Sequence, residues 1–411
     1  MEIGFSQEKL LIKNNSYLAG YDIDRKSSGI HDNLFCKVLV LNVKQTKCCF
    51  VQFDLLCVGN EFVKFLKKKG EKYNLSEDHI FVGAIHTHSA PKGTCYFKGM
   101  ERVFGEYNQE FIKMCIDIFE KCLDFSLNNL HECMCKVSKQ KIENIYSDRH
   151  NEKKEYDNTL WKLEFDCNDG KKVIAYNFSC HPTVLHADNL EISADLIGCL
   201  NRQFEKQFDM SIFFNGSSGN ISTRFTRKSS GFKEIERLGD LFFQQINENK
   251  EEIIFKGEFS NIEINQDKIE LKTWDHDYLL EFDSFMEQLI DKINKGDTTQ
   301  IPEYNEAKIN NKLLHALKYP IEHSTLLLEY TIIKIENFII VMLPLEITSS
   351  LTMKITKKYN CMIFGYMNGY NLYLADREYY DKKYYEAIMT IVKKGEGEKL
   401  IQRIMDSLEN N

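Results

Sequence analysis

The sequence predicts an α/β fold, a mixed central sheet flanked by helices and built from three β-β-α-β-like units, with an active site at strand ends. Three observations predict it. A hairpin, helix and strand recur in the same order three times along the chain. Two apolar strand runs in each copy stop at polar residues, which is where α/β folds place their chemistry. The chain has 411 residues with 43% hydrophobic and 28% charged side chains, enough for a large packed core and unlike a disordered segment.

The first copy begins after a polar, Gly-punctuated segment. Its hairpin strands are read at 36–41 and 48–56, the second interrupted near its end by Asp54, and a helix follows at about 60–69. The copy closes on residues 80–91, IFVGAIHTHSAP, an apolar run that gives way to polar residues and a Ser-Ala-Pro turn. His86 and His88 are two apart and share a face of an extended backbone. At the mouth of a buried strand each needs a ligand or a hydrogen-bond partner. Alone, the pair reads equally as a metal or acid-base group and as two satisfied residues at a turn.

The second copy has strands at 161–165 and 173–180 around the turn Asn168-Asp169-Gly170, and it stops at His181-Pro182. A helix over 193–208 leads to a strand at 212–214 and the loop NGSSGN. The third has strands at 327–335 and 338–343, stops at Pro344-Leu345-Glu346, and continues as a helix over 348–358 and a strand at 362–364. Between copies, 107–135 reads as one long helix or two short ones, and 235–250 as a helix. Strands follow around Ile254, Phe259 and 269–271, then helices at 283–295, 310–317, 384–392 and 398–408. No linker composition separates these segments, so 1–411 is expected to be a single catalytic domain.

A formal net charge of -8, from 53 basic and 61 acidic side chains, argues against nucleic acid as the main partner. The longest apolar runs, such as 338–343, are far short of a membrane span. The 13 cysteines are odd in number and follow no repeated ligand or disulfide spacing. With no signal-peptide pattern in MEIGFSQEKLLI, they are expected to be reduced core thiols in a cytoplasmic protein. No heptad pattern or docking helix is legible, which leaves the oligomeric state open.

The strand-end groups collect as His86, His88, His181 and Glu346, with Tyr373 nearby. Imidazoles plus one carboxylate make the ligand set of a catalytic zinc site, which keeps one position free. The competing reading is a set of satisfied buried histidines, since the chain has 11.

These residues sit in motifs that carry a family resemblance: HTHSAP at 86–91, NFSCHPTVL at 177–185, ISAD at 192–195, NGSSGNIS at 215–222, LPLE at 343–346, NGYNLY at 368–373 and YYEA at 384–387. In this order they resemble the catalytic domain of the neutral/alkaline, non-lysosomal ceramidases, zinc-dependent N-acylsphingosine amidohydrolases. The resemblance implies Zn2+ bound by His86, His181, Glu346 and Tyr373, with His88 close by in a supporting role. It implies active-site positions for Tyr385 and, on a more diluted pattern, Arg149. Ser222 falls on a serine proposed as a nucleophile in that family, and here a cap or turn role is the preferred expectation. The family loop Gly-Asp-x-Ser-Pro-Asn is changed to Gly219-Asn220-Ile221-Ser222-Thr223-Arg224, and Pro-Gly-Glu to Pro344-Leu345-Glu346.

Neither the export signal nor the immunoglobulin-like domain of secreted ceramidases is read here. The expected function is therefore a zinc-dependent amidohydrolase that cleaves the acyl–nitrogen bond of a soluble, small-molecule N-acyl compound by metal-activated water. The alternatives are a genuine ceramidase and a non-catalytic ligand-binding relative.

Overall fold

The protein is described by a computed structural model over residues 1–44 and 46–409. It opens with β1 (Glu2–Lys9), and the first repeat unit follows as β2 (Phe35–Val43), β3 (Thr46–Phe53), α1 (Asn60–Lys68) and β4 (Ile80–Ala84). Next come α2 (Gln109–Asn128) and β5 (Leu130–Lys141). The second unit is β6 (Thr159–Cys167), β7 (Lys172–Phe178), α3 (Asp195–Phe204) and β8 (Met210–Asn215). After α4 (Phe232–Glu248), β9 (Glu252–Gly257), β10 (Ile262–Lys272), α5 (His276–Asn294) and α6 (Ile301–Ala316), the third unit is β11 (Thr325–Ile335), β12 (Phe338–Met342), α7 (Ser349–Thr356) and β13 (Cys361–Phe364). The chain closes with α8 (Glu396–Glu409).

The three units share one topology. In each, the hairpin strands pair antiparallel, and the strand after the helix pairs parallel with the second hairpin strand: β3 with β4, β7 with β8, β12 with β13. The α/β class is as the sequence predicts, but the strands divide between two main sheets. A nine-stranded sheet runs β8-β7-β6-β5-β1-β2-β3-β4, with β9 added to β5, and a four-stranded sheet runs β10-β11-β12-β13. The third unit is drawn into its own sheet because β11 pairs along its whole length with β10, from Ile262 opposite Ile335 to Lys272 opposite Thr325.

The sheets stack face to face. Leu39, Phe50, Phe81 and Phe214 of the large sheet pack with Ile333, Ile340, Met362 and Phe364 of the small one, and the Phe214 and Phe364 rings stack 4.4 Å apart. The outer face of the large sheet buries Val38, Val51 and Val82 against Phe62 of α1, Phe119 of α2, Leu200 of α3 and Phe242 of α4. The small sheet does the same with Ile332, Val341 and Ile363 against Leu279 of α5, Leu314 of α6, Leu351 of α7 and Ile404 of α8. Strands covered on both sides carry continuous rather than alternating apolar runs, as β2 and β8 do.

Several sequence readings are corrected: the helix expected at 384–392 is only the single helical turn Tyr385–Ile388, and Phe259 lies between β9 and β10 rather than in a strand. The helix expected over 107–135 stops at Asn128, and its last residues, from Leu130, belong to β5, where Cys133, Cys135 and Val137 point inward at every second position. The short helix expected at 310–317 is the end of a longer one that begins at Ile301, with Pro302 in its first turn. All 13 cysteines are free and buried, as expected of core thiols. Among the described residues, no helix is long and apolar enough to cross a membrane.

Asp54, one residue past β3, is buried and accepts the Phe35 N–H at 2.9 Å. Burial pushes its pKa up to about 6, against the pull of Lys37. A folded-state pKa above the unfolded value means that the native state holds the proton more tightly. This contribution is therefore full below pH 4 and lost as pH rises through 6, by about 3 kcal/mol at 1.36 kcal/mol per pKa unit. D54N keeps an acceptor for Phe35 and should unfold in urea with a visibly flatter stability–pH profile between pH 4 and 6. An unchanged slope would exonerate Asp54.

Candidate metal centre

Each unit delivers side chains just beyond the carboxyl ends of its parallel strand pair. From β4 the chain passes Ile85 to His86, whose backbone turns into the left-handed region at φ 73°. Its N–H donates to Leu55 O at 2.9 Å, and Asn215 at the end of β8 ties Ile85 O to both backbone groups of Cys180. That side chain clamps the strand end bearing His86 to the one bearing His181. Tyr366, Asn368 and Leu372 in the third unit also have positive φ, at 57°, 61° and 60°. Such backbone costs on the order of 1–3 kcal/mol per residue and persists where the surroundings over-determine it, typically at a functional site.

His86, His88 and His181 bring ring nitrogens within 4.8 Å of one another. His86 Nδ1 lies 2.9 Å from Leu56 O and His181 Nδ1 lies 3.3 Å from Ser218 O. A carbonyl only accepts, so these contacts favour a ring proton on Nδ1 and leave Nε2 to face the cluster, the orientation that carbonyl partners give metal-ligating histidines; at His181 the Arg149 Nη2 donor stands 3.4 Å from the same Nδ1. His86 Nε2 lies 3.3 Å from His88 Nε2 and 3.4 Å from Glu346 Oε2. Two imidazole nitrogens that close need a proton or a cation between them. The His86, His88 and His181 donor set could hold a metal ion.

Burial, reinforced by the His86 ring and the Arg25 and Arg149 charges, pushes His88 well below the usual histidine range. Burial, Arg149, His86 and His88 do the same to His181. Burial works against the Glu346 carboxylate, but His86 and hydrogen bonds from Tyr370 and Tyr373 outweigh it and hold its pKa low. Neutral imidazoles at His88 and His181 and an ionised carboxylate at Glu346 are protonation states that bind metal.

Tyr373 reaches Glu346 because the two lie opposite each other in a short parallel bridge. Tyr370 donates to Glu346 Oε1, and Tyr366 lies 3.4 Å from Oε2 while bonding Ser218 Oγ at 2.6 Å. Of the three tyrosines in GYMNGYNLY the sequence motif points only to the last, yet the other two hold the carboxylate. Gly20 backs His88: a Cβ there would lie 2.3 Å from His88 Nδ1, and its φ is +93°.

Arg149 and Tyr385 also reach this region. The guanidinium stands 5.9 Å from the Tyr385 ring centre, and Nη2 lies 3.4 Å from His181 Nδ1. Tyr385 packs edge-on against Tyr373. Ser222 is half-buried, in a two-residue bridge with Ser147, and its Oγ accepts the Arg224 N–H at 3.1 Å, which is a turn contact. Glu386 and His150, absent from the sequence-predicted site, stand behind Arg149; the sequence signals this pair through the glutamate of YYEA alone.

A cavity of about 150 Å³ opens beside the cluster. His86, His88, Glu346, Tyr373 and Tyr385 line its polar end, and Leu56, Met100, Val103, Phe104, Leu313 and Met389 its apolar wall.

Residues 13–231, more than half the chain, match the family profile described as neutral/alkaline non-lysosomal ceramidase, N-terminal. The fold is similar to a crystal structure of neutral ceramidase from Pseudomonas aeruginosa, with a TM-score of 0.73 at 16% identity, covering 98% of this chain and 73% of that one. A structure of a ceramidase complexed with C2 gives a TM-score of 0.73 at 15% identity, with the same coverage. At these identities the likeness is one of fold. No curated protein matches the sequence.

Proposed function

The chain belongs to the neutral/alkaline non-lysosomal ceramidase family, and from that premise we propose that it hydrolyses the amide bond of an N-acyl sphingoid base. The observation that carries this reading is the apolar wall of Met100, Val103, Phe104, Leu313 and Met389 directly beside the His86, His88 and Glu346 cluster. An amide bearing a hydrocarbon chain can place its carbonyl at the cluster and bury the first methylenes on that wall.

In this proposal His86, His181, Glu346 and Tyr373 hold a zinc ion. When bound, such an ion polarises a carbonyl and acidifies water. His88, neutral and on the same face as His86, takes a proton from the attacking water and passes it to the departing amine as the C–N bond breaks. Arg149 and Tyr385 donate hydrogen bonds to the oxygen that gains charge in the tetrahedral state, a contact worth about 3 kcal/mol when preorganised. Ser222 shapes the 220–224 turn and stays outside the chemistry. S222A should therefore lower the rate only a few-fold, and a burst of covalently held acyl group on the peptide containing Ser222 would overturn that assignment. The same proposal takes 1–411 as one catalytic domain, supported by the core shared between the two sheets. It places the protein in the cytoplasm, supported by 13 free thiols.

The test is kcat/KM across N-acyl amides of two to sixteen acyl carbons, measured below and above the micelle concentration of the detergent. Each methylene buried on an apolar wall contributes about 0.8 kcal/mol, so the profile should rise steeply from the short end. A flat or falling profile would favour the soluble N-acyl compound instead.

A further inference from the structure

Glu386 is fully buried, with no exposed surface, in the short helix Tyr385–Ile388. Burying a carboxylate costs several kcal/mol unless it is paired, and apolar residues of the same volume would often be as stable. Its two oxygens are divided between two partners. Oε1 forms an ion pair with Arg149 Nε at 3.3 Å that is not aligned as a hydrogen bond, and Oε2 lies 2.8 Å from His150 Nε2. His150 is fixed in turn. Its ring stacks on Tyr384 at 3.7 Å and 2°, and its backbone N–H donates to Asp148 Oδ1.

From this arrangement we infer that Glu386 is a positioning residue that acts through Arg149, with His150 as its anchor. The carboxylate engages the guanidinium from the Nε side, and Nη2 then extends past Ile221 O toward His181. Burial works to lower the Arg149 pKa, but the charges of Tyr373, Glu386, Tyr385 and Glu346 outweigh it, so the cation is secure. What Glu386 adds is a fixed, buried counter-charge that holds the guanidinium in place. A guanidinium on a three-carbon stem has many rotamers, and a donor misplaced by about 1 Å can cost on the order of 10²-fold in rate. YYEA thus places Tyr385 and the group that orients Arg149 on adjacent residues.

The inference rests on Arg149 acting as a donor to the substrate oxygen, and the experiment separates the two. E386Q keeps shape and volume and removes the charge. It should lower kcat by about 10²-fold with KM within about threefold and metal content unchanged, and E386D should recover part of the loss. In an R149A background E386Q should have no further effect. Added guanidinium should restore some activity to R149A but not to R149A/E386Q. Independent, multiplying losses for E386Q and R149A, or guanidinium rescue that persists without Glu386, would overturn the inference while leaving Arg149 in place. Full activity in R149A would remove the Arg149 assignment and this inference with it. If E386Q fails to fold, E386D with the same rescue assay decides the question.

Discussion

Alanine in place of His86 or His181 is expected to leave the purified protein with little bound metal and a rate lower by roughly 10³-fold or more. His86 and His181 come from different units of the proposed centre, and losing either ligand should remove several kcal/mol of transition-state stabilisation. Elemental analysis of protein prepared without added metal should return close to one zinc per chain for the parent and a small fraction of that for either variant. H88A distinguishes the third histidine. With Nε2 facing His86 at 3.3 Å, His88 sits where it can pass a proton or contact the ion. On the reading adopted here, H88A keeps its zinc and loses about 10²–10⁴-fold in turnover, the range of a general acid-base group. Zinc loss in H88A equal to that in H86A would make it a ligand, and full retention in both H86A and H181A would remove the centre altogether.

The second large effect is expected at Asn220, where the family loop carries an aspartate. Asp148 is fully buried and accepts four bonds: His150 and Asn151 N–H on Oδ1, Asn220 Nδ2 at 2.7 Å and Tyr379 OH at 2.7 Å on Oδ2. Asn220 Oδ1 accepts the Ser349 N–H at 2.7 Å, so the amide uses its donor and its acceptor at once. N220D would keep the acceptor, remove the donor and set a second carboxylate against Asp148. Breaking a buried charge arrangement in this way costs about 3–5 kcal/mol. Two carboxylates at that distance share a proton, which raises the pKa of the pair. The raised acid is tolerated at low pH and destabilises progressively as pH rises, so urea denaturation at pH 5 and pH 8 should show the larger deficit at pH 8. Equal stability of N220D and the parent at pH 8 would sink the argument. Because residues 148–150 also seat Arg149 and His150, activity should fall with stability.

The asparagine departure was legible in the sequence as the loss of a charge, but its cause was not. Asp148 lies 72 positions away from Asn220, and nothing local marks it as the partner. The same division runs through the fold. The three hairpin-helix-strand units and their polar ends could be read because period and turn chemistry act over a few residues: α1 and α7 fall within a residue or two of the expected bounds. The start of β5 could not, because its segment has helix-like spacing up to Asn128 and becomes a strand by pairing with β6 and β1.

By itself the sequence determined the α/β class, the repeat and the motifs in which His86, His88, His181, Glu346 and Tyr373 stand. Each of these depends on residues that are neighbours in the chain. Only the tertiary structure decided that the third unit forms a sheet of its own, that Tyr366 and Tyr370 hold Glu346, and that Glu386 and His150 stand behind Arg149. Those contacts join residues at least 20 positions apart, and His150 and Glu386 are separated by 236. Their geometry is set by how the sheets stack and how the strand ends meet, which no local pattern of side chains encodes.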